Sequence, residues 1–196
     1  MIAVIDYKAG NLTSVMKALH AVGADAVATS DPRAVMRADK LVLPGVGHFS
    51  ATAFLVEQGL KKTIEKCARE GVPFLGICVG LQWLFEGSTE APNTTGLGAF
   101  SGRCERFSQE MKVPHVGWNS LQVKDSRLLR GVSSGDFVYF THSYRAPLTN
   151  GTAAVTEYGT PFTAAVEREN IMGVQFHPEK SGSVGLRILE NFVRLS

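Results

Sequence analysis

"FLGICVGLQ" (residues 74–82) begins as an apolar run and passes, through a cysteine, into residues that suit a helix. Within it Gly76-Ile77-Cys78-Val79-Gly80 has the form G-x-C-x-G. A side chain on a sharp strand-to-helix turn stands clear of its sheet, at the end where α/β proteins bind ligands. Such a turn strains the backbone and brings neighbouring backbones close, so glycine on either side removes side chains that would clash. The helix starting at Val79 aims its amide dipole at the sulfur and favours thiolate over thiol. Its N–H groups can also stabilise an oxyanion. A buried packing cysteine is the competing reading, and Cys67 and Cys104 fit it. Cys67 falls on the apolar face of a helix and Cys104 in a charged strand segment, and neither is bracketed by glycine.

Outward from this stretch the first half alternates strand and helix. "IAVID" (2–6), "DAVAT" (25–29), "KLVLP" (40–44) and "VPFLGI" (72–77) read as strands. Between the first two, Leu12, Val15, Met16 and Leu19 fall at helical spacing, with Asn11 as N-cap and Gly23 as the stop. Leu60, Ile64 and Cys67 mark a helix before the fourth strand, and Leu81, Leu84 and Phe85 the buried side of the one after it. The expectation is a three-layer α/β fold of flavodoxin-like type, a mixed sheet flanked by helices. From about residue 95 short β segments with Gly, Asn and Pro turns take over, and a mixed or antiparallel extension of the same sheet is expected. "GSVGLRILENFVRL" closes the chain as an amphipathic helix, so residues 1–196 are expected to form one domain.

The bulk composition excludes several classes. Of 196 residues 44% are hydrophobic and 19% charged, with net charge +2 and no basic cluster. That leaves no footprint for nucleic acid or an anionic membrane. No apolar run is long enough for a membrane span, and Asp6 interrupts the N-terminal apolar stretch too early for a signal peptide. Three widely spaced cysteines suit a reducing cytoplasm, and without a CxxC or Cys/His cluster no metal or other cofactor is expected.

A thiolate nucleophile needs a base, and the base an orienting acid. "VQFHPEKS" (174–181) supplies both at the end of an apolar strand. His177 and Glu179 are two apart, so an extended backbone puts them on one side, and Pro178 disfavours helix at His177. "HPE" alone could be a strand exit with a polar cap; joined to the cysteine elbow it is far more specific. A third element, "LVLPGVGHF" (41–49), ends a strand in a loop able to aim backbone N–H groups at an anion. Its G-x-G lacks the rest of a dinucleotide fingerprint. Gln82 lies one helical turn beyond Cys78 and can reach the same site. His115 and His142 have no carboxylate two residues on and read as structural or interface residues.

With these residues in view, the chain resembles the class I (triad-type) glutamine amidotransferases. Within them it is similar to the glutaminase subunits of imidazole glycerol phosphate synthase in histidine biosynthesis. "DYKAGNL" (6–12), "LPGVGHF" (43–49), "GICVGLQ" (76–82), "PHVGWN" (114–119), "THSYR" (141–145) and "GVQFHPEKS" (173–181) carry the resemblance nearly end to end. It implies a Cys78–His177–Glu179 triad, a glutamyl thioester, and an oxyanion hole from the N–H groups of Val79 and Val46. It implies L-glutamine held by Gly47, Gln82, Ser143 and Tyr144. It also implies a heterodimer with a (β/α)8-barrel cyclase facing Asn11, Trp118 and Lys180. There ammonia would meet a phosphoribulosyl formimino carboxamide ribotide, giving imidazole glycerol phosphate and an aminoimidazole ribotide. Val79 and Leu81 stand where Leu and Met are more usual, and His48 where a small residue is common. Three other readings use the same motifs: a paralogue feeding another acceptor, a γ-glutamyl hydrolase, and a scaffold with a dead site.

Overall fold

A computed structural model describes residues 1–195. The first half runs β1 (Ile2–Ile5), α1 (Leu12–Ala21), β2 (Ala26–Thr29), α2 (Pro32–Met36), β3 (Lys40–Leu43), α3 (Ala53–Glu57), α4 (Leu60–Arg69), β4 (Phe74–Ile77) and α5 (Val79–Trp83). The second half runs β5 (Gly87–Ser88), β6 (Arg103–Arg106), β7 (His115–Ser120), β8 (Gln122–Val123), β9 (Phe137–His142), β10 (Tyr144–Arg145), β11 (Thr152–Glu157), β12 (Pro161–Arg168), β13 (Ile171–Val174) and α6 (Gly182–Arg194).

The main sheet has eight strands in the order β2-β1-β3-β4-β13-β12-β11-β8. Its first five strands are parallel to their neighbours and the rest pair antiparallel. The parallel part thus repeats the doubly wound 2-1-3-4-5 order, in which ligands bind beyond the strands' carboxyl ends. Strands β1 and β4, and β3 after Lys40, read as unbroken apolar runs because helices cover both faces. Helix α1 packs with α6, and α2 and α3 with α4. Phe74, Trp83, Phe85, Phe176 and Phe192 are fully buried in the core these layers enclose.

The expected extension of the sheet holds for β8, β11, β12 and β13, but the other late strands do not join it. β7 and β9 form a separate antiparallel ribbon, and β5, β6 and β10 a small sheet of their own. In the ribbon His115, Val138, Phe140 and His142 face inward, while Val116, Trp118 and Phe137 are exposed. Helix α2 was not expected from hydrophobic periodicity, being too short to show any. Its local signal is Asp31, whose side chain accepts from the Arg33 N–H at 2.9 Å, followed by Pro32 at the first helical position. The helix expected from Leu60, Ile64 and Cys67 is α4; the short α3 precedes it, set off by Gly59 at a left-handed φ of 71°.

Candidate active site

The glycine bracket around Cys78 does what the sequence suggested. Cys78 sits between β4 and α5 at φ 55° and ψ −105°, a conformation an L-residue adopts only under constraint. Its N–H donates to the Val174 carbonyl at 2.8 Å, and its own carbonyl accepts from Gln82 at 3.1 Å, which holds the turn from both sides. A Cβ on Gly80 would overlap the Leu43 carbonyl, and one on Gly76 the backbone of Gly80. The elbow therefore requires the backbones of β3, β4 and α5 to touch.

Adjacent parallel strands bring the remaining groups to this edge. β13 pairs directly with β4, so the segment leaving β13 delivers His177 beside the elbow. The His177 ring is fully buried, and its Nδ1 lies 2.7 Å from Glu179 Oε1. Because a carboxylate only accepts, Nδ1 carries a proton toward Glu179, which leaves Nε2 for the sulfur. Nε2 is buried with no hydrogen-bond partner among the described residues. Burial works against a charged imidazole here, but the Cys78 sulfur and Glu179 outweigh it and raise the His177 pKa to about 9. For Glu179 burial pushes upward, and His177 and then Asn11 overcome it, so its pKa is lowered.

Two expectations are corrected in their reasons. His177 is extended, as a residue before proline should be, but Pro178–Lys180 is a 3-10 turn. The turn, not strand alternation, folds Glu179 back onto the ring. Asn11, expected as a helix N-cap, has φ 77° and makes no side-chain cap. Its Nδ2 instead donates to Glu179 Oε1 at 2.5 Å and lies 3.4 Å from His177 Nδ1. Sequence pattern could not separate these uses, since Asn suits both.

A cavity of about 210 Å³ opens over the sulfur, lined by Cys78, Val46, Gly47, Val79, Gln82, Ser143 and Tyr144 together with Glu90, Pro114, Thr141 and His142. Every residue expected at a substrate site lines it. Gln82 is buried, with Nε2 donating to the Tyr144 carbonyl at 3.0 Å, so it is no surface helix glutamine. Glu90 was not anticipated; its carboxylate accepts from the Phe49 N–H at 2.8 Å, a contact 41 residues apart that no local pattern announces.

The loop after β3 holds the two N–H groups of the implied oxyanion hole apart. The Val79 N–H points at the Gly45 carbonyl, 3.4 Å away. The Gly45–Val46 peptide is trans, so its N–H points opposite to that carbonyl, away from the Val79 N–H. As it stands, the Val46 and Val79 donors do not converge. The buried Tyr7 hydroxyl lies against Gly45, where a Cβ would strike it, and it too has no partner among the described residues. His48 lies outside the cavity lining, and its Nδ1 accepts from the Ser50 N–H at 3.2 Å.

Of the residues expected at a partner surface, Trp118 is 55% exposed on the ribbon and not a core aromatic. Lys180 is exposed, its Nζ 5.9 Å from the centre of the Tyr139 ring. A second opening is lined by Gly10, Asn11, Val46 and Lys180 among others, so Val46 borders both.

Comparison with known proteins identifies the family. The family model for class I glutamine amidotransferases matches residues 3–195. Imidazole glycerol phosphate synthase subunit HisH of Thermococcus kodakarensis is 50% identical, with 100% of each chain covered. Its counterpart from Methanothermobacter thermautotrophicus is 49% identical over 100% of this chain and 98% of that one. A crystal structure of a glutamine amidotransferase superposes with a TM-score of 0.78 at 20% identity, covering 100% of both chains. The structure of PurLQS from Thermotoga maritima gives 0.71 at 18%, covering 97% of this chain and 96% of that one. The chain belongs to the class I glutamine amidotransferases, in the branch of the imidazole glycerol phosphate synthase HisH subunits.

Proposed function

We propose that this chain hydrolyses glutamine at Cys78 and hands ammonia to a (β/α)8-barrel cyclase bound across the Trp118 and Lys180 surface. One observation carries the reading: an elbow cysteine and a buried imidazole, its far nitrogen held by Glu179, meet at the ends of paired strands β4 and β13. His177 Nε2 takes the thiol proton, and the sulfur attacks the side-chain amide carbon of glutamine. The carbonyl electrons move onto oxygen and return as the C–N bond breaks, while His177 delivers its proton to departing ammonia. Water, deprotonated by the same imidazole, then cleaves the thioester to glutamate and restores the thiol. Gly47, Gln82, Ser143 and Tyr144 hold the substrate in the cavity.

The oxyanion of that sequence needs donors from Val79 and Val46, whereas the Val79 N–H faces the Gly45 carbonyl at 3.4 Å. Rotation of the Gly45–Val46 peptide converts this acceptor into a donor. We assign that rotation to partner binding, since Val46 also borders the opening flanked by Asn11 and Lys180. Withheld, one oxyanion donor costs about 10²–10³ in turnover. Ammonia free in neutral water is mostly protonated and a poor nucleophile, which favours its passage across an interface. Residues 1–196 act as one glutaminase domain, and the three buried free thiols suit a reducing cytoplasm.

The test is glutamate release by the chain with and without the barrel cyclase, for wild type and Cys78→Ala. The expected result is slow turnover alone, acceleration by the cyclase, and none from Cys78→Ala in either case. Equal turnover with and without cyclase would remove the regulatory part; activity in Cys78→Ala would remove the whole.

A further inference from the structure

Gln175 is fully buried two residues before His177, and its Nε2 lies 3.7 Å from Cys78 Sγ as a donor. Which end of an amide meets a sulfur is decided by its neighbours, and here the neighbours leave no choice. The Tyr144 carbonyl can only accept. It takes the Nδ1–H of His142 at 2.8 Å and an Nε2–H of Gln82 at 3.0 Å. With its nitrogen fixed there, Gln82 turns its second N–H to Gln175 Oε1 at 3.2 Å. The Gln175 nitrogen is thereby directed at the sulfur. Further out, His142 Nε2 accepts from His115 Nδ1 at 3.0 Å, and Asn119 Nδ2 lies 3.4 Å from His115 Nε2. Burial lowers the pKa of His115 to about 4 and of His142 to about 3, so both rings are neutral at pH 7, as this one-way chain of donors requires.

We propose that Gln175 is a further catalytic residue, whose amide N–H stabilises the Cys78 thiolate. The proposal rests on the glutaminase reading above. When the thiol proton moves from Sγ to His177 Nε2, the sulfur keeps the electron pair and the negative charge. An N–H donor gains more from an anion than from a thiol, so this contact strengthens as the proton leaves. The other titratable groups near the sulfur leave that task open. His177, backed by Glu179, supplies the positive charge. Tyr7 is held neutral by burial, which raises its pKa. His142 is neutral, and the Glu90 carboxylate is engaged by Phe49.

Gln175→Met keeps the length and removes the donor, whereas Gln175→Glu sets a carboxylate against the sulfur. The full chain is treated with iodoacetamide from pH 5 to 10, and peptide mass spectrometry follows modification of Cys78 alone. The alkylation profile of Gln175→Met should move about one pH unit upward, and that of Gln175→Glu further. At neutral pH kcat/KM for glutamine should fall about tenfold in Gln175→Met and recover as pH rises. Gln175→Asn keeps the amide but withdraws it by one methylene, and serves in the same assay should Gln175→Met not fold. An alkylation profile that superimposes on that of the unsubstituted chain, or an activity loss equal at every pH, would overturn the proposal. Hydrolysis surviving in Cys78→Ala would remove the glutaminase reading and this inference together; an unmoved profile beside an inactive Cys78→Ala removes this inference alone.

Discussion

Asn11 illustrates what a residue type can and cannot announce. Its place before a helical pattern is read correctly as a boundary, yet the side chain crosses 168 positions of sequence to donate to Glu179. Pairing across that distance depends on the topology that packs the start of α1 against the turn after β13, and local pattern holds no record of it. Cys78, His177 and Glu179 were legible because their motifs combine chemistry with a backbone signature, glycine brackets in one case and a proline in the other. If Asn11 steadies the Glu179 carboxylate, Asn11→Asp should lower kcat/KM more than Asn11→Ala does, since it sets two carboxylates against each other. Steady-state kinetics on the two variants checks the order. Glu179→Gln should lower kcat about 10²–10⁴-fold by releasing the imidazole tautomer. The His177–Glu179 pair also leaves a mark on stability. The His177 contribution is complete below its ordinary value of 6.5 and lost as pH rises through about 9; that of Glu179 is complete above 4.5 and lost as pH falls. Urea unfolding should therefore show a midpoint that declines from pH 6.5 to 9, and a flattened decline in His177→Gln.

Among the elements, the long apolar-patterned pieces were legible and the short ones were not. α1, α4 and α6 show clear periodicity and the inner parallel strands continuous apolar runs, whereas α2 spans five residues and shows only through its cap. The ribbon of β7 and β9 reads as strands, yet it lies outside the main sheet. Its alternation resembles that of any half-buried hairpin, and nothing in it says which layer the inner face covers. That inner face places His115 against His142 and stacks His115 4.1 Å from the Tyr158 ring centre. Both rings are neutral in the fold and take up protons once it opens. Stability should fall as pH drops from 6.5 to 4.5, a window in which the His177 and Glu179 contributions are level. The slope should approach two protons per molecule unfolded, and His115→Gln should halve it, measured by urea midpoints across that range. At the elbow, Gly80→Ala should destabilise by about 3 kcal/mol or prevent folding, because its Cβ meets main chain that cannot yield. Gly23→Ala at φ 78°, with open space around it, should cost about 1 kcal/mol, as denaturant titration of both will show.

Over the whole molecule, the order 2-1-3-4 of the first strands follows from doubly wound precedent, but the insertion of β13 beside β4 does not. A strand from near the end of the chain fills the centre of the sheet, and sequence periodicity ranks strands by burial without ordering them in space. The exposed Val116, Trp118 and Phe137 give the ribbon an apolar outer face next to the Lys180 turn. On the heterodimer proposal, Trp118→Ala should weaken binding to the barrel cyclase by about 2 kcal/mol, measured by calorimetry, and leave unfolding of the lone chain unchanged. The late arrival of β13 has a temporal side as well. During translation Cys78 leaves the ribosome about a hundred residues ahead of His177, roughly 5–20 s at ordinary elongation rates. Throughout that interval β4 has a bare edge where β13 will lie, and Cys78 stands without His177. On the proposed mechanism a nascent chain is thus catalytically silent until its central strand is inserted, and it releases no ammonia before then.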